Sequence, residues 1–175
     1  MIELPISVAA PNVSHVDALV DGTHLGEFEI RGLIGVGGFG MVYRAYDHSL
    51  QRDVAIKEYM PAALAGRADG GLSLTVRSSS DHETFQKGLT SFVAEARLLA
   101  KFEHPSLVRV FRFWEANGTA YMVMPFYEGV TLKQALKAMP APPDEDWLRR
   151  MLAPVMDALG DDRSARRDQP RRLAG

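Results

Sequence analysis

A glycine cluster, Gly35-Val36-Gly37-Gly38-Phe39-Gly40, gives the 175-residue chain a G-x-G-x-x-G pattern. Backbone without side chains can lie close to a phosphate group and offer it N–H donors. The same pattern opens a helix in dinucleotide-binding folds, but here Met41-Val42-Tyr43 follows, and these residues favour a strand. The sequence therefore predicts a glycine hairpin over phosphates, with Phe39 at its tip shielding them from water. A nicotinamide dinucleotide site is the less favoured alternative.

Two charged residues further along the chain could act on the same phosphates. Lys57 follows Val54-Ala55-Ile56, an apolar run that predicts a buried strand. A strand that ends beneath the glycine hairpin would point the ammonium group at the phosphates. Glu95 lies within an amphipathic helical pattern, where an unpaired buried carboxylate is costly. We therefore expect a Lys57–Glu95 ion pair. In the alternative, both are solvated charges, one on a strand edge and one on a helix flank.

Changes in hydrophobic period predict the elements that must position these residues. Three strand-like segments with short connections, between residues 27 and 57, predict an antiparallel meander. A long connection, residues 60–82, contains one more strand-like segment at Leu72–Val76. Apolar residues then recur at three- and four-residue steps from Thr84 to Phe102, which predicts an amphipathic helix with Ser80 or Asp81 as its cap. A final hairpin is predicted from Leu107–Trp114, the turn residues Asn117-Gly118, and Thr119–Met124.

The two ends of the chain differ from its middle. Residues 1–26 have no sustained period and predict a flexible leader. Two helices are predicted towards the other end, at Thr131–Ala138, with Thr131 as its cap, and at Asp144–Leu159. Residues 160–175 contain five arginines and one leucine, which predicts a disordered tail. The predicted segments are a leader (1–26), a lobe (27–124), a hinge with two helices (125–159) and the tail (160–175).

Composition excludes several classes of function. The formal net charge is −2, so we expect neither a nucleic acid nor an anionic membrane surface as a partner. The chain has no cysteine, which excludes disulfides and thiolate catalysis, and its five histidines lack metal-ligand spacing. No apolar run approaches the roughly 20 residues of a membrane span, and no signal peptide is recognisable. The expected location is the cytoplasm.

With these features the sequence resembles the N-terminal lobe of the protein kinase superfamily, most of all bacterial serine/threonine kinases of eukaryotic type. The resemblance extends from about Glu27 to Leu159 and rests on six signals in the family's order. They are the glycine loop Gly35–Gly40 with Val42, the strand Val54-Ala55-Ile56-Lys57, the helix glutamate Glu95, the segment His104-Pro105-Ser106-Leu107-Val108, the strand Tyr121–Met124, and the hinge Pro125–Gly129. The implied fold is α+β: a five-stranded antiparallel sheet with one helix, the family's αC, followed by two helices of an incomplete C-lobe.

The resemblance also implies an ATP site. Lys57 would be the catalytic lysine, and Glu95 would hold it. Met124 would be the gatekeeper beside the adenine, and backbone groups of Pro125 and Tyr127 would meet the adenine edge. The implied nucleotide-binding residues are Ile34, Gly35, Val36, Gly37, Gly38, Phe39, Gly40, Val42, Ala55, Lys57, Met124, Pro125 and Tyr127. Leu99 and Val110 would form a packed spine behind the lysine. In the family, Mg²⁺ accompanies ATP, and protein hydroxyl groups receive the phosphoryl group.

The family's remaining catalytic motifs do not occur in this sequence. Neither the H-R-D loop with its nearby Asn nor the D-F-G motif is present, and Ser164–Arg171 stands where the catalytic loop is expected. Some codon choices for Asp168–Arg171, shifted by one nucleotide, encode a kinase-like Ile-Ser-Pro-Asp. We therefore interpret the chain as a frameshifted or truncated kinase, with a wrong gene boundary or a natural truncation as alternatives. It is expected to be inactive. The alternative function is a non-catalytic fragment that binds nucleotide or docks on a partner.

Overall fold

The computed structural model describes residues 14–67 and 71–167, with the backbone alone for 161–167. The chain divides into two compact units, and each is described by itself. The first comprises Met1–Lys101 and Arg109–Gly129, and the second comprises Phe102–Val108 and Val130–Gly175.

Antiparallel strands form the centre of the first unit. In chain order they are β1 (His24–Leu25), β2 (Phe28–Gly37), β3 (Gly40–Asp47), β4 (Arg52–Tyr59), β5 (Ala65–Arg67), β6 (Leu74–Val76), β7 (Arg112–Ala116) and β8 (Thr119–Pro125). Six of them form one sheet in the order β1-β2-β3-β4-β8-β7, and β5 pairs with β6 in a separate hairpin. The expected meander and final hairpin are confirmed, and the tight turn has Asn117 and Gly118 at φ of 55° and 73°, as a two-residue hairpin turn requires.

The sheet has one strand more than the five expected. β1 pairs with the start of β2, Leu25 opposite Phe28. β5 was also missed, since strands of two or three residues are too short to show a hydrophobic period. In addition β7 begins at Arg112 rather than at Leu107, because Leu107 closes a turn by donating its N–H to the His104 carbonyl at 3.0 Å.

Alternation along the strands gives the sheet two different faces. Residues directly opposite each other on neighbouring strands share a face, so Tyr43, Ile56 and Val123 lie together on one side. We call this the outer face, and all three residues are buried there. Lys57 and Met122 lie on the opposite, inner face.

The outer face is covered by residues 14–25, which we call the strap. Leu19 and Leu25 are buried in the apolar cluster of that face, and the Leu19 N–H donates to the Tyr43 hydroxyl at 3.2 Å. Asp17 is also buried. The expectation of a flexible leader is therefore corrected for residues 14–26, because its few apolar and acidic side chains find partners far along the chain. Residues 1–13 lie outside the described part.

The long helix α1 (His82–Leu99) packs on the inner face. It buries one stripe of apolar residues against Tyr59, Ala120 and Met122 of the sheet; the stripe consists of Phe85, Leu89, Phe92, Val93 and Ala96. A short 3₁₀ turn, Ser79–Asp81, leads into the helix, and its cap is Ser78, whose side chain accepts from the Ser80 N–H. Asp81 stands at the N-cap of α1 without making a side-chain capping bond.

The second unit contains α2 (Leu132–Ala138) and α3 (Glu145–Arg167). Thr131 caps α2 as expected, in a reciprocal capping box with Gln134. α3 does not end at Leu159 but continues to Arg167, so the expected disorder is corrected for residues 160–167. Ala and Arg favour a helix, and adding residues to an existing helix avoids the cost of nucleation. Residues 168–175 lie outside the described part.

In the described ranges 14–67 and 71–167, no helix combines the length and apolar character that crossing a bilayer requires.

Candidate functional site

The glycine cluster forms the tip of the β2–β3 hairpin, where Gly37 lies opposite Gly40. Gly38 and Phe39 make the two-residue turn, and the Phe39 side chain is 78% exposed. The Phe39 carbonyl accepts from the Met60 N–H at 3.3 Å, so the tip is tied to the end of β4. A strand, not a helix, follows Gly40, and this removes the basis for the dinucleotide-fold alternative.

The glycines of the hairpin differ in what surrounds them. A Cβ atom at Gly40 would lie 2.1 Å from the Glu58 carbonyl oxygen, which is too close for any residue but glycine. At Gly37 the nearest atom would be 3.9 Å away, and at Gly38 nothing lies within 4 Å. Packing therefore requires glycine at position 40, but not at positions 37 and 38. The open backbone at positions 37 and 38 leaves room for an external group to approach.

Lys57 lies on the inner face of β4, directly opposite Val42 of β3 and Met122 of β8. Its Nζ atom lies 3.1 Å from Oε1 and 3.4 Å from Oε2 of Glu95 on α1. The side chains are 28% and 49% exposed, so the pair itself contributes at most about 1 kcal/mol to stability. Packing, rather than this ion pair, must therefore hold α1 in place.

Tyr59 supplies much of that packing, two residues beyond Lys57. Its hydroxyl donates to the Phe85 carbonyl at 3.0 Å, and its ring contacts the rings of Phe85 and Phe92 at centroid distances of 5.1 and 5.8 Å. Gly88 permits this approach, since a Cβ there would lie 2.1 Å from the Tyr59 hydroxyl. Burial raises the pKa of Tyr59, which keeps the hydroxyl protonated as a donor.

Apolar residues line the inner face beside the lysine. Ala55 lies directly opposite Met124, and Val42 lies opposite both Lys57 and Gly35. Ala55 is buried, whereas Val42 and Met124 are only partly buried. Ile34, also partly buried, sits at an irregularity of the β2–β3 pairing. Leu99 and Val110 pack against the apolar cluster under α1.

The hinge residues continue from the end of β8. Pro125 is its last residue and lies opposite Val54, while Tyr127 follows the strand and is 70% exposed. Val36, on the hairpin near its tip, is also exposed. All of the expected nucleotide-site residues, from Ile34 to Tyr127, thus belong to the first unit. The strand register places Val42, Ala55, Lys57 and Met124 on one face.

The opposite face of the same strand holds a charged network that the sequence analysis missed. Glu58, next to Lys57, is fully buried and accepts from Arg67 at 2.6 Å and from the Tyr43 hydroxyl at 3.0 Å. Burial, and then the nearby Glu58 carboxylate, raise the pKa of Tyr121 to about 12. The signal was present in the sequence: Val54, Ile56 and Glu58 alternate on one face, so Glu58 must be buried and needs a partner.

The described residues do not provide an evident metal site. Residues 14–67 and 71–167 contain no group of three or more His, Asp or Glu side chains that could hold a metal ion. The Asp and Asn motifs that hold Mg²⁺ in the kinase family are missing from the sequence. The residues present therefore do not fit this ion.

Comparison with known proteins identifies the family to which the fold and the site point. Residues 28–160 match the protein kinase domain family. The serine/threonine-protein kinase pkn2 of Myxococcus xanthus is 34% identical over 146 residues, 82% of this chain and 15% of that protein. The serine/threonine-protein kinase PknD of Chlamydia caviae is 36% identical over 112 residues, 64% of this chain and 10% of that protein.

A solved structure described as the apo form of PpkA-294 is 55% identical and superimposes with a TM-score of 0.75. The alignment covers 81% of this chain and 50% of that chain. This chain therefore spans about half of that structure and 10–15% of the two curated relatives. It belongs to the protein kinase domain family, and the two curated relatives named above are bacterial serine/threonine-protein kinases.

Proposed function

We propose that the first unit is the ATP-gripping lobe of a serine/threonine protein kinase. The glycine hairpin at 35–40 would lie over the phosphates, and Lys57 would contact them. The apolar strip of Ile34, Val42, Ala55 and Met124 would receive the adenine ring. Backbone groups of Pro125 and Tyr127 would meet its polar edge, and a carbonyl serves at position 125, where proline has no N–H to offer.

The Lys57–Glu95 pair is the observation that supports this proposal most. It joins a strand and a helix 38 residues apart in sequence, on the same face as the apolar strip. An ammonium group oriented by a carboxylate can donate to phosphate oxygens without losing its position. Because Lys57 keeps partial exposure, its charge is available to a ligand rather than sealed in the core.

Transfer of the phosphoryl group requires residues beyond those that would bind ATP. In the family an Asp accepts the proton of the substrate hydroxyl, and a second Asp and an Asn hold the metal ion. This sequence has neither the H-R-D nor the D-F-G motif. We therefore propose that the polypeptide as given does not transfer phosphate to proteins, although kinases of its family do. We further propose a cytoplasmic location, as for a protein that binds cellular ATP.

Nucleotide binding and transfer can be tested separately on the purified chain. ATP binding is measured by calorimetry for the wild type, for Lys57→Ala and for a matched control, Lys87→Ala. Lys87 is an exposed α1 lysine paired with Glu83 at 2.6 Å, far less suited to meet phosphates. Loss of a charge-assisted contact should weaken binding about tenfold for Lys57→Ala alone. Equal affinities for the two variants would refute the phosphate role of Lys57.

Phosphotransfer is measured with radiolabelled ATP and a serine- and threonine-containing peptide library. We expect no transfer above the level without protein. Transfer that is abolished by Lys57→Ala but not by Lys87→Ala would show that the polypeptide is an active kinase and would overturn the proposed inactivity.

A second candidate, a partner-docking fragment, is supported by α3. Its apolar side chains Leu148, Met151, Leu152, Val155, Met156 and Leu159 are between 41% and 65% exposed. An apolar row of this size commonly marks an interaction surface. Light scattering of the wild type and of Leu152→Glu tests whether the row associates. A wild type that is monomeric at all concentrations, without a change in the variant, would speak against self-docking.

A further inference from the structure

In addition to its backbone bonds to β2, the strap contacts the rest of the unit through one buried carboxylate, Asp17. Asp17 accepts the Arg67 N–H at 2.8 Å through Oδ1 and the Arg77 guanidinium at 3.1 Å through Oδ2, and its carbonyl accepts from Arg67 Nε at 3.1 Å. Arg67 and Arg77 both belong to the described residues between β4 and α1, 60–67 and 71–81, which we call the connector. One strap residue thus holds the connector at two points ten residues apart.

Arg67 also contacts β4, the strand that carries Lys57. Arg67 donates to Glu58 at 2.6 Å, and the side chains of both residues are almost fully buried. Glu58 precedes Tyr59 and follows Lys57 on β4. The path from the strap to the Lys57–Glu95 pair therefore has two branches. One runs through Glu58 to β4, and the other runs through Arg77 to the start of α1.

The second branch ends close to the helix. The Arg77 N–H donates to the Leu64 carbonyl at 2.8 Å, and its Nε donates to the Ala62 carbonyl at 3.0 Å. Ser78 then caps the turn that leads into α1. Arg77 therefore fixes where the chain enters the helix, while Tyr59 fixes the helix against β4 at Phe85.

We propose that docking of the strap through Asp17 positions α1, and so holds Glu95 within reach of Lys57. Asp17, Arg67 and Arg77 are positioning residues that touch neither member of the pair. Release of the strap would leave the buried Arg67 N–H and Nε without the acceptors that Asp17 supplies, and such a loss is costly. The partly exposed Lys57–Glu95 pair cannot hold the helix by itself, so its formation reports whether the strap is docked.

A zero-length cross-link measures this directly and needs no nucleotide, so its outcome is independent of the proposed ATP binding. A carbodiimide joins an amine to a carboxylate only when the two are in contact. The yield of the Lys57–Glu95 cross-link is quantified by mass spectrometry against the Glu83–Lys87 cross-link. That second pair, at 2.6 Å within α1, is an internal standard that helix position does not affect.

Asp17→Asn removes the negative charge of the carboxylate and keeps the size of the side chain. We expect the Lys57–Glu95 yield to fall about threefold or more relative to the internal standard. Amide exchange should become faster in the connector and in the first turns of α1. Arg77→Gln, at a residue whose side chain is half exposed, is a milder variant that should act in the same direction and keeps the test valid where Asp17→Asn does not fold.

Val123→Ala is the matched control, because it weakens the outer-face core without touching the network. It should lower the melting temperature and leave the cross-link ratio unchanged. An equal fall of the ratio in Val123→Ala would show that the pair only follows overall stability. An unchanged ratio in both Asp17→Asn and Arg77→Gln would likewise overturn the positioning role.

Discussion

Replacement of Gly40 by alanine tests the structure at the point where the glycine hairpin meets β4. Gly40 lies opposite Tyr59, and an added Cβ would lie 2.1 Å from the Glu58 carbonyl oxygen, 3.2 Å from its carbon and 3.3 Å from the Met60 nitrogen. All three are backbone atoms, so no side-chain rotation can relieve the contact. Either β3 must move away from β4, or the end of the hairpin must separate.

The expected cost follows from the size of the displacement. Ordinary contact begins at 3.4 Å, so the strands must separate locally by about 1 Å. A shift of that size breaks the bond from the Met60 N–H to the Phe39 carbonyl, which is already 3.3 Å long, and strains its neighbours. One or two lost backbone bonds at about 1 kcal/mol each, with overpacking strain of about 1–3 kcal/mol, predict a destabilisation of about 3 kcal/mol.

Urea unfolding, followed by circular dichroism, measures the free energy, and thermal unfolding gives a second value. For a chain of this length about 3 kcal/mol corresponds to a fall in melting temperature of roughly 6–12 °C. Gly37→Ala and Gly38→Ala are the matched controls, since an added Cβ has room at both positions and neither has a positive φ. Both should remain within about 0.5 kcal/mol of the wild type.

The controls also separate the stability role from the proposed ligand role. ATP should raise the melting temperature of the wild type by mass action, and a methyl group at position 38 should reduce that rise by blocking the approach of phosphate. Refutation would come from a Gly40→Ala variant as stable as Gly38→Ala, because the hairpin would then not lie against β4 as described. A Gly38→Ala variant that keeps the full ATP effect would contradict only the ligand role.

Three further perturbations address the packing around the site. Burial and the nearby Glu58 raise the pKa of Tyr121 from 10 to about 12. The stability that the protonated hydroxyl contributes is therefore complete below pH 10 and is lost as the pH rises from 10 to about 12. In unfolding experiments, Tyr121→Phe should reduce this alkaline loss of stability by on the order of 2 kcal/mol. Glu58→Gln leaves the buried Arg67 without its counter-charge and should cost about 3 kcal/mol, and a loss below 1 kcal/mol in urea unfolding would contradict a buried ion pair. Gly88→Ala should cost about 1–2 kcal/mol by displacing the Tyr59 hydroxyl, and the cost should shrink in a Tyr59→Phe background.

The parts of the fold that local pattern determines could be predicted from the sequence. The hairpin turn at Asn117-Gly118 follows from residues that tolerate positive φ, and the inward face of α1 follows from a period of three to four residues. The prediction of a Lys57–Glu95 pair used the apolar run Val54-Ala55-Ile56 before the lysine, the helical period around the glutamate and a need for charge compensation. Local patterns reach this far because both residues lie on long, regular elements.

The strap could not be predicted in the same way. Asp17 has its partners 50 and 60 residues away, and nothing in residues 14–26 repeats with the period of a helix or a strand. Apart from its backbone bonds to β2, the strap is held by two buried leucines and one carboxylate, and none of these residues forms a recognisable motif in the sequence. Long-range contacts of this kind depend on where the sheet brings distant segments together, and single-sequence patterns carry no such information.

The register of β4 decides which face of the sheet Lys57 and Glu58 each occupy, and Glu58 helps to fix that register. A slip of one residue would move Lys57 into the outer apolar core and would carry Glu58 to the inner face beside Phe92. Arg67 on the outer side and Glu95 on the inner side would then both face the wrong partner. The buried Glu58–Arg67 pair adds little net stability against an apolar substitute, but it makes the shifted register far more costly. The outer network thus contributes to the candidate site by ensuring that, of two adjacent charged residues, the lysine is the one that lies on the inner face beside Glu95.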